Sequence, residues 1–185
     1  MVALNPPVCD FGQSAIHFDL PGVDGRRHTL ESCRGPNGLL VMFICNHCPY
    51  VKAIIDRLIR DCRDLHAQGI GCVAIMSNDI VAYPEDAPEV MQAWAADLSF
   101  PFPYLHDETQ AVAKAYGAVC TPDFFGYNAD LQLQYRGRLD ASGRQPAAPD
   151  APRELYEAMC QIARTGKGPE HQMASIGCSI KWIMP

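Results

Sequence analysis

Sulfur is where this sequence could do chemistry: two of its nine cysteines stand three positions apart in Cys45-Asn46-His47-Cys48-Pro49. Thiols at that spacing can close to a disulfide and reopen, provided that one of them ionises, because the thiolate is the nucleophile. Taken as a plain Cys-x-x-Cys motif, the stretch makes Cys45 the attacking sulfur. Pro49 argues for the other one. Proline suits the first position of a helix, where its missing N–H is no loss, and disturbs the helix deeper in the first turn. With Pro49 there, Cys48 is the N-cap. Its sulfur then faces the free N–H groups and positive end of the helix, which lowers a thiol pKa from about 8.5 toward roughly 3.5 to 7.5. Cys48 is the expected nucleophile, and Cys45, in the turn before it, the candidate that resolves the reaction.

The neighbouring residues admit a chemical and a bland role. His47 is a charge that stabilises a thiolate or a solvated loop residue. Lys52 reads first as a surface charge on the helix. Cys45, Cys48 and His47 could ligate a metal, but no second cluster stands at suitable spacing. Cys62 and Cys160 fall in helical patterns and Cys72 in a strand pattern, so each reads as a small buried hydrophobe.

The elements that must position this chemistry follow from periodicity. Leu39 to Ile44 is a continuous apolar run of the kind a buried parallel strand uses. From Pro49 onward Val51, Ile54, Ile55, Leu58, Ile59, Cys62 and Leu65 recur at helical spacing, giving an amphipathic helix of about four turns closed by Gln68-Gly69. Ile70 to Met76 is the next buried strand, and a βαβ unit of this length forces a right-handed crossover. Asn78, Asp79 and Tyr83-Pro84-Glu85-Asp86 follow that strand's carboxyl end, where sites gather in open sheets. Asp86-Ala87-Pro88-Glu89 nevertheless has the form of a helix start with Asp86 as its cap. Asp107-Glu108-Thr109-Gln110 has the same form and opens a helix that stops at Gly117.

Ahead of the core, Ala15 to Leu20 and Arg26 to Leu30 flank a turn and form a hairpin. After Thr121-Pro122-Asp123, Phe124 to Tyr127 and Leu131 to Leu139 form another. A last helix runs from Ala151 to Arg164. The apolar tail around Cys178 and Trp182 is expected to dock on the domain.

At 185 residues, with no linker of any length, the chain reads as one domain, 1–185, with a lead-in at 1–14 and a tail at 166–185. Hydrophobic residues make up 48% and charged ones 19%, which excludes a disordered chain. A net charge of -6 without any Lys/Arg cluster excludes nucleic acid as an expected partner. No apolar run is long enough for a membrane span, and Met1 to Asp10 lacks the form of a secretory signal, so the expected location is the cytoplasm.

Phe43-Ile44-Cys45-Asn46-His47-Cys48-Pro49, Tyr116-Gly117-Ala118-Val119-Cys120-Thr121-Pro122 and Leu133-Gln134-Tyr135-Arg136-Gly137-Arg138, in this order of elements, resemble the thioredoxin-like redoxin group. That group holds the alkyl hydroperoxide reductase/thiol-specific antioxidant proteins and the thioredoxin-like thiol:disulfide oxidoreductases. The resemblance implies an α/β thioredoxin-like fold with an N-terminal β-hairpin extension, an inserted helix after the second core strand and a docked C-terminal tail. In the group the first active cysteine falls five residues after the aromatic that ends the central strand. Here that is Cys48, counted from Phe43, and the group's second cysteine falls on Val51 and its following basic residue on Lys52.

The resemblance further implies a cis Pro122 packed against the reactive cysteine, with Thr121 offering its backbone to an incoming extended chain. Cys120 and Cys178 then stand as other candidate resolving thiols. The implied activity is thiol-disulfide exchange with a protein or small-molecule disulfide and a thiol electron donor, without a cofactor. The alternatives are a thiol peroxidase acting on hydroperoxides and a redox-inactive peptide-binding module. The peroxidase pattern asks for Pro, then Thr or Ser, before the reactive cysteine, and those positions hold Val41 and Cys45. Many redoxins dimerise, so a homodimer stays open.

Overall fold

In the computed structural model, residues 3–4, 11–148 and 150–184 are described. Cys9 lies outside them. The strands are β1 (Ala3–Leu4), β2 (Asp19–Pro21), β3 (Arg27–Thr29), β4 (Gly38–Phe43), β5 (Ile70–Met76), β6 (Tyr104–His106), β7 (Cys120–Thr121), β8 (Asp123–Tyr127), β9 (Leu133–Tyr135) and β10 (Gly177–Ser179). The helices are α1 (Leu30–Cys33), α2 (Pro49–Ala67), α3 (Pro88–Asp97), α4 (Ala111–Tyr116) and α5 (Glu154–Thr165).

The central sheet has the order β6-β5-β4-β8-β9, with β4, β5 and β6 parallel and β8 and β9 antiparallel to their neighbours. Alternation along β4 divides the interior. Leu40 and Met42 face one core with α2 and α5, while Leu39, Val41 and Phe43 face the other with Phe18, Leu30, Tyr116 and Phe125. Every residue of β4 is buried, as a parallel strand covered on both faces requires. Each fully buried aliphatic side chain contributes about 1.5 to 3 kcal/mol relative to exposure. The carboxyl end of β4 is thereby held rigidly where it hands the chain to α2.

The expected hairpins, βαβ unit, inserted helix and last helix are all present. Three details differ. The helix α2 has 19 residues, longer than the four turns its apolar spacing suggests; it closes at Gln68, followed by Gly69 at φ 74. Neither expected acidic cap stands at a helix N-cap. Asp86 sits in a short 3-10 turn, Pro84–Asp86, with its side chain turned inward, while Ala87 is the N-cap of α3. Gln110 rather than Asp107 is the N-cap of α4, and the Asp107 carboxylate accepts instead from the Val112 and Ala113 N–H groups. The tail is more than docked. It forms β10, which joins β7 to β1, so part of the lead-in takes part in a second, three-stranded sheet.

Candidate active site

The carboxyl end of β4, the first turn of α2 and the Thr121-Pro122 turn meet at the two cysteines. Cys48 is the N-cap of α2 with extended backbone (φ -68, ψ 120), Pro49 opens the helix, and the Lys52 N–H donates to the Cys48 carbonyl at 2.9 Å. The Thr121-Pro122 peptide is cis. Arg136 steadies that turn from below: its guanidinium donates to Asp123 at 2.9 Å and to the Gly117 carbonyl at 2.8 Å.

In its thiol form Cys48 donates to the Thr121 carbonyl at 3.1 Å, a bond that is given up on ionisation, and Cys45 Sγ lies 3.4 Å from Thr121 Oγ1. Both cysteines are buried. The hydrogen bond from Cys45 is the largest influence on Cys48. Burial works against it, and Thr121 with the backbone N–H groups of Val51 and Cys178 adds to it, bringing the Cys48 pKa down to about 4. Cys45 moves the opposite way, raised well above an ordinary thiol because it keeps its proton for Cys48, is buried and faces Asp86. The two sulfurs titrate as a linked pair in which Cys48 is favoured to ionise first.

His47 acts on the other sulfur. Its Nδ1 donates to Asp86 Oδ2 at 2.7 Å and lies 3.9 Å from Cys45 Sγ, and its ring stacks on Tyr83 with centroids 5.3 Å apart. The bond to Asp86 raises the His47 pKa. Asp86 is fully buried; burial pushes its pKa up, but His47, Asn78 and the Asn46 N–H outweigh it and leave the carboxyl below its ordinary value. Asp86 Oδ1 accepts from the backbone N–H groups of Asn46 at 2.8 Å and His47 at 3.3 Å, and Oδ2 also accepts from Asn78 at 2.7 Å. Tyr104 donates to Asn46 Oδ1 at 3.0 Å. These bonds fix the turn that carries both cysteines.

The structure thus brings Cys45, Cys48, His47, Pro49, Thr121 and Pro122 together. Cys120, next along β7, turns its thiol to the Pro122 carbonyl at 3.7 Å, and burial first of all raises its pKa. Lys52 is exposed, and only its backbone belongs to the site. Asp86 and Asn78 are site residues that the sequence pattern had placed as cap and turn. Among the described residues one donor set could hold a metal ion: Cys45, His47 and Asp86, whose ligand atoms lie within 4.8 Å of one another. Asp86 stands in it where the spacing had suggested Cys48.

The AhpC/TSA family model matches residues 11–141, which include every residue of this centre except those of the tail. The chain belongs to the AhpC/TSA family. Two solved structures resemble this family member over their whole length. An uncharacterized conserved protein from Geobacillus kaustophilus is 44% identical, with a TM-score of 0.94, over 100% of this chain and 98% of that one. A hypothetical protein from Sinorhizobium meliloti 1021 is 38% identical, with a TM-score of 0.91, over 98% and 99%. A secreted disulfide oxidoreductase of Mycobacterium tuberculosis shares the thioredoxin-like fold at 16% identity and a TM-score of 0.57, over 80% of this chain and 95% of that one. No curated protein matches. The family is one of thioredoxin-like thiol-disulfide oxidoreductases and peroxidases, and the expected redoxin resemblance and fold class are both borne out.

Proposed function

We propose that this protein is a thiol-disulfide oxidoreductase whose nucleophile is Cys48. One observation carries the reading: the Cys48 sulfur sits at the N-cap of α2, ahead of Pro49 and beside the cis Pro122 turn, with Cys45 packed in the same buried cluster. The Cys48 thiolate attacks one sulfur of a substrate disulfide, forming a mixed disulfide and releasing a thiolate. Cys45 then loses its proton, attacks Cys48 Sγ and expels the second substrate thiolate, leaving a Cys45–Cys48 disulfide. The raised pKa of Cys45 falls once the Cys48 charge is gone, so it is activated only after the first step. His47 in its protonated state, held by Asp86, faces the sulfur that must then ionise. A dithiol donor returns the pair to its reduced form, and the cytoplasm is the compartment proposed for the cycle.

Membership of the AhpC/TSA family favours a second reading, in which Cys48 attacks a hydroperoxide and becomes a sulfenic acid that a neighbouring thiol resolves. Cys45 stands where that chemistry would have Thr or Ser, so a thiol replaces the hydroxyl that would bind the peroxide. Stopped-flow oxidation of the reduced protein separates the two. The exchange reading predicts faster loss of thiols with oxidised glutathione than with hydrogen peroxide at equal concentration. The reverse order, by orders of magnitude, overturns it, and a Cys48 that alkylates no faster than an ordinary thiol at neutral pH overturns both.

A further inference from the structure

The edge of Thr121 that the resemblance assigns to an incoming chain already has a strand on it. In β10, Cys178 stands directly opposite Thr121 and Ser179 opposite Cys120, and the Ile180 N–H continues the ladder by donating to the Val119 carbonyl at 3.0 Å. Side chains of directly opposed residues share a face of the sheet. On that face Thr121 Oγ1 touches Cys45, so Cys178 is set toward the reactive pair. It packs in the same buried cluster as Cys45 and Cys48.

Glycine makes the approach possible. A Cβ on Gly177 would come within 2.1 Å of the Thr121 carbonyl oxygen and 3.0 Å of Pro122 N. The strand is fastened on both sides of Cys178. Ala3 of β1 pairs with Cys178 on its far edge. Further along, the Lys181 N–H donates to Asn78 Oδ1 at 2.9 Å, the Asp79 N–H donates to the Lys181 carbonyl at 2.8 Å, and the Ile183 N–H donates to Gln110 Oε1 at 2.9 Å. Beside Pro122, a cleft lined by Tyr50, Ile54, Phe124, Leu139 and Ile176 has a volume of about 140 Å³. The cleft stops at Pro122, and none of Cys45, Cys48 and Cys178 lines it.

We propose that Cys178 is a second resolving thiol, carried on a strand that fills the chain-docking edge, so that Cys48 meets a small molecule with an electrophilic S–S or O–O bond rather than an extended protein chain. This rests on the proposed role of Cys48. With a small disulfide, the Cys48 thiolate forms the mixed disulfide and releases one thiolate. Cys178 then gives up its proton, attacks Cys48 Sγ and expels the other, so two protein thiols are oxidised as one disulfide is reduced. With a hydroperoxide, Cys48 takes the terminal oxygen and an alcohol or water leaves; attack by Cys178 on the sulfenic acid then releases water. A dithiol donor reduces the Cys48–Cys178 disulfide. Burial and then the Cys48 charge hold the Cys178 pKa up at about 11, which keeps it protonated until Cys48 has reacted.

The test treats reduced wild-type, Cys45→Ser and Cys178→Ser proteins with oxidised glutathione and, separately, with hydrogen peroxide, followed by thiol counting and peptide mapping. Cys45→Ala replaces Cys45→Ser if the serine variant does not fold. Without Cys45, the protein is expected to yield a linked Cys48–Cys178 peptide; without Cys178, a linked Cys45–Cys48 peptide. A Cys45 variant that stops at a Cys48–glutathione adduct or a sulfenic acid, with Cys178 still alkylatable, overturns the proposal and leaves the reactivity of Cys48 standing. Failure of Cys48 to react in the wild type overturns the underlying function instead. In a parallel arm, insulin disulfides are expected to react at least about tenfold more slowly than oxidised glutathione, the factor that about 1.4 kcal/mol of strand displacement produces. Equal rates overturn the small-substrate assignment.

Discussion

Among the described residues, two pairs of neighbouring cysteines have a histidine beside them. In the first, Cys45 lends its proton to Cys48 with His47 nearby. In the second, Cys62 of α2 and Cys72 of β5 meet next to His66. Burial pushes Cys72 up, but Cys62 and His66 outweigh it and leave its pKa at about 7, while burial keeps Cys62 well above the ordinary range. As titrating groups the pairs look alike. Their places differ: Cys48 stands at the amino end of α2 against a strand edge, whereas Cys62 lies in the body of that helix with its thiol on Met42 Sδ at 3.9 Å. Both pairs are buried, Cys48 at 0% and Cys72 at 2% exposure, so what separates them is place: Cys48 lies in the turn that opens α2, beside the short strand β10, and Cys72 lies inside the central sheet. A turn at the end of an element opens locally at lower cost than the middle of a packed sheet.

Removing a sulfur from each pair tests this most severely. Cys48→Ser is expected to lower the rate of disulfide exchange by roughly a thousandfold or more, as loss of a nucleophile does. Cys72→Ser is expected to leave that rate within about twofold and to lower stability by about 1 to 3 kcal/mol, the cost of a poorly partnered buried hydroxyl. Equal losses of activity would erase the contrast. Alkylation of the native protein gives the next largest effect. Because the Cys48 pKa is about 4, its rate with iodoacetamide is expected to be flat between pH 6 and 8, where an ordinary thiol climbs about tenfold per unit. Mass spectrometry should find Cys72 unmodified throughout.

Asp86→Asn sharpens the electrostatic side. It breaks a buried ion pair and is expected to cost about 3 kcal/mol in urea denaturation. The pH dependence carries the signature. His47 has a raised pKa, so its contribution is full below its unfolded value and is lost as pH rises through the folded one. Asp86 has a lowered pKa, so its contribution is full above its unfolded value and is lost as pH falls through the folded one. The wild type gains stability between these limits, and the variant is expected to lose that bulge. Lys52→Ala gives the smallest effect: with its side chain exposed, a change within about 0.5 kcal/mol in stability and within about twofold in activity is expected. A larger loss of activity would return Lys52 to the site.

What the sequence made legible is what local patterns encode. The apolar run of β4, the spacing in α2, Pro49 at its first position and the Thr-Pro turn each announce themselves within a few residues, and together they place Cys48. Asp86 was hidden because Asp-Ala-Pro-Glu is also a helix-start pattern, while its actual partners, Asn46 and His47, lie 40 and 39 residues back. No short-range signal distinguishes a carboxylate that caps the next helix from one that reaches to the previous loop. The strand β10 was hidden for a related reason. Three residues pairing with a two-residue edge carry no periodicity, and the close approach depends on the absence of a side chain at Gly177.

Asn78 joins the two parts of the centre with a single amide. Its oxygen accepts from the Lys181 N–H of the tail and its nitrogen donates to Asp86, the partner of His47. Turning the amide over would break both bonds at once, so its orientation is locked by two claims from opposite sides. Thermodynamic reciprocity then binds them. Whatever protonation of His47 does to the hold on the tail, seating the tail does by the same factor to the proton affinity of His47. Titrating one imidazole with the tail attached and detached would measure that exchange without any substrate present.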